Sequence, residues 1–146
     1  MKLKILIRYS IALFLCVSVV SCGKDDGNSN NSDNSSLTSN LITGTWKITN
    51  FIEDGKNQKA HFSNFQFDFE ENNTVLATSG SNIKSGTWNL ITDSGKTKLV
   101  FDFGNIDKFE ELNEDWEVLS QSNSKIDLKH VSGGNGGVDL LTFERN

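Results

Sequence analysis

Hydrophobic and polar residues alternate in short segments along most of the chain after residue 40. In the clearest segment, Phe65, Phe67 and Phe69 are separated by single polar residues. This period of two predicts a strand with one buried and one exposed face. Seven further segments follow the same pattern, at Trp46 to Ile52, Val75 to Thr78, Trp88 to Leu90, Leu99 to Phe103, Trp116 to Val118, Ile126 to Leu128 and Val138 to Phe143.

The segments are separated by residues that tolerate turn dihedrals, such as Asp54-Gly55 and Gly104-Asn105. Only Ile106, Phe109 and Leu112 recur at a helical spacing, which predicts one or two turns of helix. Eight strands joined mostly by short turns predict an antiparallel, all-β, up-and-down meander. Closing the meander into an eight-stranded barrel removes its unpaired edges, and a two-sheet sandwich is the alternative.

Two short motifs suggest a family. Thr43-Gly44-Thr45-Trp46 begins the first strand and Ser85-Gly86-Thr87-Trp88 repeats the pattern on the fourth. With the closing run from Asp139 to Arg145, they resemble lipocalins and lipocalin-like bacterial lipoproteins. The resemblance implies that Gly44 and Trp46 form the barrel floor and that Arg145 packs across it. The chain is shorter than typical lipocalins and has no convincing long C-terminal helix.

The interior of such a barrel decides whether it has a ligand site. An eight-stranded barrel is wide enough to be filled by side chains or to hold one small ligand. The resemblance implies ligand binding, whereas so many large aromatic side chains favour a filled interior. We therefore expect a small pocket near the open end, or none. The candidate pocket-lining residues are Phe65, Phe67, Phe69, Trp88, Phe101, Phe103, Trp116 and His130.

The N-terminal segment predicts export. Lys2, Lys4 and Arg8 precede an apolar run that ends at Ser21-Cys22, as in a secretory signal. A cysteine at this position resembles the lipobox of bacterial lipoproteins, which implies a signal peptide over 1–21 and a lipid on Cys22. The lipid would be the protein's membrane contact. An ordinary thiol in a secreted protein is the alternative.

The residues after Cys22 predict a linker. Lys24, Asp25 and Asp26 resemble a surface-export signal of lipoproteins, although a solvated linker start explains them equally well. Residues 22–39 are rich in Asn and Ser, so we expect a disordered tether, followed by the barrel domain over 40–146. These features predict a lipid-anchored envelope protein, on the outer membrane and exposed at the cell surface.

The charge and the motifs exclude several functions. Three of the 14 basic residues lie in the predicted signal peptide. The remaining chain therefore has 11 basic and 19 acidic residues and a net charge of −8. An acidic domain is a poor binder of nucleic acid. The sequence has no metalloprotease motif, no nucleophile elbow and no pattern for a cofactor.

We therefore expect a non-catalytic monomer without metal or cofactor, whose barrel binds a small hydrophobic molecule. The alternative is a solid barrel that acts as an interaction or structural module at the cell surface.

Overall fold

The computed structural model describes residues 29–133 and 136–146. A helix, α1 (Ser29–Leu41), precedes the sheet, and two 3₁₀ helices lie between strands, the first at Lys59–Phe62 and the second at Asp107–Leu112. The strands are β1 (Thr45–Glu53), β2 (Lys56–Asn57), β3 (Gln66–Phe69), β4 (Thr74–Ser79), β5 (Asn82–Asp93), β6 (Lys96–Asp102), β7 (Asp115–Gln121), β8 (Lys125–Val131) and β9 (Val138–Arg145).

Every pairing in the sheet is antiparallel, and each strand from β3 to β8 pairs with the next strand along the chain. β1 pairs with both β3 and β9, with Trp46 opposite Arg145, so the sheet closes into a barrel. The predicted up-and-down barrel is confirmed, and the sandwich is excluded. The two-residue β2 is an addition on β1 that is too short to leave a periodic signal.

The alternation of apolar and polar residues separates side chains inside the barrel from those outside it. Phe67 and Phe69 on β3 are buried, while Gln66 and Asp68 between them are exposed. The predicted helical turns form the second 3₁₀ helix, with Phe109 and Leu112 buried.

Helix α1 corrects the predicted tether. The interpretation of 22–39 as disordered is wrong from residue 29 onward, because α1 begins at Ser29. Leu37 and Leu41 lie one turn apart and are 1% and 0% exposed in the barrel core. Packing of such an apolar pair against a protein stabilises a helix that its own propensities would not. The rest of the predicted tether, at 22–28, lies outside the described residues.

Both ends of the barrel are covered. At one end, the Trp46 Nε1–H donates to the Leu41 carbonyl at 2.9 Å, and the Arg145 guanidinium lies 4.8 Å from the centre of the Trp46 ring. At the other end, the two 3₁₀ helices meet through Phe62 and Phe109, whose ring centres are 5.2 Å apart. Within residues 29–133 and 136–146, no helix has the length and apolar character needed to cross a bilayer.

Candidate functional site

Most of the predicted pocket-lining residues pack against one another. Phe143 lies among them, with its ring centre 5.3 Å from that of Phe67, 5.8 Å from Phe69 and 5.9 Å from Phe101. The exposed fractions are 0% for Phe67, 1% for Phe69 and Trp116, 3% for Phe101 and Phe103 and 4% for Trp88. These rings therefore fill the barrel instead of surrounding an open cavity.

The other two predicted pocket residues, Phe65 and His130, lie away from this packed centre. Phe65 is half-buried just before β3, and its ring meets the edge of Phe109 at 5.0 Å. His130 lies near the end of β8, and its ring packs beside Trp116 at 6.0 Å. His130 shares strand parity with Ile126 and Leu128, but parity does not give its height along the barrel.

The predicted floor residues meet at the α1 end. Gly44 has φ +74°, and a Cβ there would lie 3.5 Å from Arg145 Cδ. Arg145 Nη2 donates to the Asn40 carbonyl at 2.8 Å, while its buried Nε has no hydrogen-bond partner. Trp46 and Arg145 thus form a packed floor, held against the C-terminal end of α1.

A cleft opens beside this floor, between β6 and β7. The two strands pair only where Lys98, Leu99 and Val100 face Glu117, Trp116 and Asp115, and no pairs continue toward α1. The cleft has a volume of about 420 Å³, and α1 forms one of its walls. It is lined by Asp33, Leu37, Gly95, Lys96, Thr97, Glu117, Val118, Leu119, Ser120 and Gln121.

Polar contacts hold α1 across the cleft. The Thr97 hydroxyl donates to Asn34 Oδ1 at 2.6 Å, and Asn40 Nδ2 donates to Gln121 Oε1 at 2.6 Å. Gln121 Nε2 also donates to the Ser36 hydroxyl at 3.2 Å. Sequence reasoning missed this arrangement, and its one signal was the spacing of Leu37 and Leu41.

A second cluster joins His130 to two carboxylates. Its Nδ1 lies 3.1 Å from Asp115 Oδ1 and its Nε2 lies 3.5 Å from Glu114 Oε2. Lys98 also binds Asp115, and its hydrogen bond is the main cause that holds the pKa of Asp115 below its usual value. A metal ion at this cluster would meet the Lys98 ammonium beside one of its ligands. The Lys98–Asp115 ion pair therefore competes with a metal ion for the Asp115 carboxylate.

A third cluster lies where the 3₁₀ helices cover the barrel. Burial, followed by the nearby charge of Glu111, raises the pKa of Glu53. Gln58 Nε2 donates to Glu53 at 3.1 Å, which opposes that rise. Glu111 Oε2 is buried without a hydrogen-bond partner and lies 3.7 Å from His61 Nδ1. Burial and like charge therefore disfavour the ionised Glu53 carboxylate at this end of the barrel.

The outer face of the barrel carries a shallow groove of about 610 Å³ across β1, β9, β8 and β7. Leu119 and Leu140 line it and are 50% and 36% exposed. Asp127 is fixed beside them by hydrogen bonds from Ser120 and Thr142, both at 2.9 Å. Contiguous apolar patches with a polar rim are typical of interaction surfaces.

Comparisons with known proteins show a shared fold. No protein-family model matches the sequence, and no curated protein matches it. The structure is similar to a DUF4847 family protein from Bacteroides vulgatus, with a TM-score of 0.52 and 15% identity, over 75% of this chain and 97% of that one. A lipocalin-like protein from Bacteroides uniformis has a TM-score of 0.47 and 14% identity, over 73% of this chain and 99% of that one.

The predicted anchor and export residues, Cys22, Lys24, Asp25 and Asp26, lie outside the described residues. Their roles stay predictions from the sequence.

Proposed function

We propose that this chain is a lipid-anchored, non-catalytic binding module of the bacterial cell envelope, which contacts another envelope component through the outer surface of a solid barrel. One observation carries this proposal: rings fill the interior and both ends are covered. The core side chains nominated as pocket lining are at most 4% exposed, so a ligand cannot reach them without a rearrangement.

The groove on β1, β9, β8 and β7 is the surface that best fits a partner. Leu119 and Leu140 offer apolar contact, while Asp127 and Lys125 offer charge at its edge. Solvent-exposed apolar side chains gain about 25 cal/mol per Å² when a partner covers them. A protein partner would therefore gain contact area here without opening the barrel.

Binding of a small hydrophobic molecule is the second candidate function. Eight-stranded barrels of this shape hold one small ligand in some proteins. The specific observation in its favour is the cleft between β6 and β7, because it opens beside Leu37 and Val118. This candidate needs a rearrangement at the cleft, whereas the interaction module needs none.

The lipid anchor is proposed from the sequence around Cys22, and the Lys24-Asp25-Asp26 run supports exposure at the cell surface. Cells labelled with a fatty acid analogue should transfer label to the wild type and to Cys16→Ala, but not to Cys22→Ala. Cys16 is the matched control, because it lies within the predicted signal. Labelling of Cys22→Ala would disprove the anchor.

Native mass spectrometry of the mature protein, without the predicted signal peptide, separates the interaction module from the binder of a small hydrophobic molecule. The solid module should show the mass of the acylated chain alone. A stoichiometric apolar ligand, retained after mild extraction, would instead support the second candidate.

Site-specific photo-crosslinking in cells tests the surface. A photoreactive residue at Leu140, within the groove, should give a discrete cross-linked product. The same residue at Asn89, which is exposed on β5, is the control and should not give that product. Identical products from both positions would contradict a specific surface on this groove.

A further inference from the structure

The geometry points to α1 as a displaceable occupant of a latent site for a single-chain amphiphile with an acidic head group. In the α1-docked state the site is closed. When α1 leaves, the amphiphile's tail takes the place of Leu37 and Leu41, and its head group takes the place of the Asn40 carbonyl. This inference rests on the second candidate function and goes beyond it by naming the site and the ligand class.

The tail of the ligand has a counterpart in α1. Leu37 and Leu41 are the helix's fully buried side chains among residues 33–41, and both belong to the barrel's hydrophobic core. They are one turn apart, so they form a continuous apolar strip on one side of the helix. An alkyl chain offers the same apolar contact without the polar backbone of a helix.

The head group also has a counterpart. The carbonyls at the C-terminal end of a helix carry partial negative charge. Here the Asn40 carbonyl accepts a hydrogen bond from Arg145 Nη2, and Arg145 Nε is buried without a partner. If α1 leaves, both Arg145 Nη2 and Trp46 Nε1 lose their hydrogen-bond acceptors. A carboxylate would restore the hydrogen bond from Arg145 and supply a full opposite charge.

The helix has little intrinsic stability of its own. Its sequence, SNNSDNSSLTSNL, consists mainly of serine and asparagine, which have weak helix propensity. Its first turn has no acidic residue to favour the helix dipole. The β6–β7 ladder ends beside it, so the helix covers strands that are not paired there. The docking of α1 therefore depends on its two leucines and on its hydrogen bonds to the barrel, and not on helix propensity.

The test uses the full-length processed protein in lipid vesicles with a photoreactive fatty acid. A release variant, Leu37→Ser with Leu41→Ser, is compared with a control pair, Ile83→Ser with Val138→Ser. The control removes two apolar side chains that are already exposed. Mass spectrometry then measures labelling of the cleft residues Thr97, Val118 and Gln121.

We expect the release variant to label at the cleft about tenfold more than the wild type, because apparent affinity scales with the fraction of competent protein. The control pair should match the wild type. The methyl ester of the same probe should label the release variant much less than the acid. Adding Arg145→Gln should remove that difference between acid and ester.

A second variant changes α1 in the opposite direction without disturbing the core. Ser35→Ala with Ser39→Ala replaces two exposed helix residues by alanine, which has higher helix propensity. It should lower labelling below the wild-type level. If the release variant unfolds, the alanine variant still tests the proposal. Labelling of the alanine variant at or above the wild-type level would then overturn it.

Amide hydrogen exchange of α1 completes the test. The release variant should lose protection in α1 while β1 and β9 stay protected. If α1 is released and cleft labelling does not rise, the latent site does not exist. If α1 keeps its protection, the two leucines do not hold it and the proposal is wrong. Neither result affects cross-linking at Leu140, so the interaction module is judged separately.

Discussion

Gly86 offers the sharpest test of how this barrel is packed. It belongs to the second Gly-Thr-Trp motif, on β5, next to the end of β6. A Cβ at this position would lie 2.6 Å from the Phe103 ring and 2.8 Å from the Asp102 carbonyl oxygen. Both distances are well inside van der Waals contact. The Phe103 ring can shift, but the Asp102 oxygen belongs to the backbone of the neighbouring strand.

Gly86→Ala should therefore lower the free energy of unfolding. Overpacking a tight core by one methyl group costs about 1–3 kcal/mol. In a domain of this size, that corresponds to a melting temperature lower by about 4–12 °C. The loss is expected even though replacing glycine by alanine lowers the conformational entropy of the unfolded chain, which by itself would stabilise the fold.

Urea unfolding followed by tryptophan fluorescence measures the effect. Gly133→Ala is the matched control, because a Cβ at Gly133 would meet nothing within 4 Å. It should change stability by less than about 0.5 kcal/mol. Combining Gly86→Ala with Phe103→Leu should recover part of the loss, since the ring is one of the two obstacles. Equal stability of Gly86→Ala and the wild type would refute the close approach of β5 to β6.

Three further outcomes are expected. Phe143→Ala, which removes the ring at the centre of the aromatic core, should cost about 3–5 kcal/mol in urea unfolding, and a cost below about 1 kcal/mol would contradict the filled interior. Because the pKa of Glu53 is raised in the fold, the contribution of Glu53 to stability should rise as the pH falls through that pKa, so the difference in stability between the wild type and Glu53→Gln should shift in favour of the wild type in acid. Lys98→Met should raise the pKa of Asp115 in an NMR titration, whereas the pKa of Asp127 should not change. Because the lowered pKa of Asp115 adds stability that is lost as the pH falls through it, the variant should lose less stability in acid.

The strands could be predicted from the sequence because a half-buried strand leaves a period of two. Phe67 and Phe69 show this, since each side chain's face follows from parity alone. The closure of the barrel followed from the need to cover its edges. The two-residue β2 leaves no such signal, so it was not predicted.

The helix and the filled interior required information that the sequence does not carry locally. The composition of 23–39 predicts disorder. The segment is helical because Leu37 and Leu41 can be buried in the end of the barrel, which the composition does not reveal. Parity places Phe69, Phe101 and Phe143 inside, but only their three-dimensional arrangement decides whether the rings meet. They meet, with ring centres 5.8–6.0 Å apart.

The pairing of β1 with β9 sets the order in which this protein can mature. Trp46 lies opposite Arg145, so the seam joins segments from opposite ends of the domain. During synthesis, β1 is made long before β9, so the edge of β1 that pairs with β9 stays unpaired until then. Contacts this distant in sequence slow folding and prolong the exposure of such an edge. The barrel therefore cannot close until β9, the last strand of the chain's described part, is available to pair with β1.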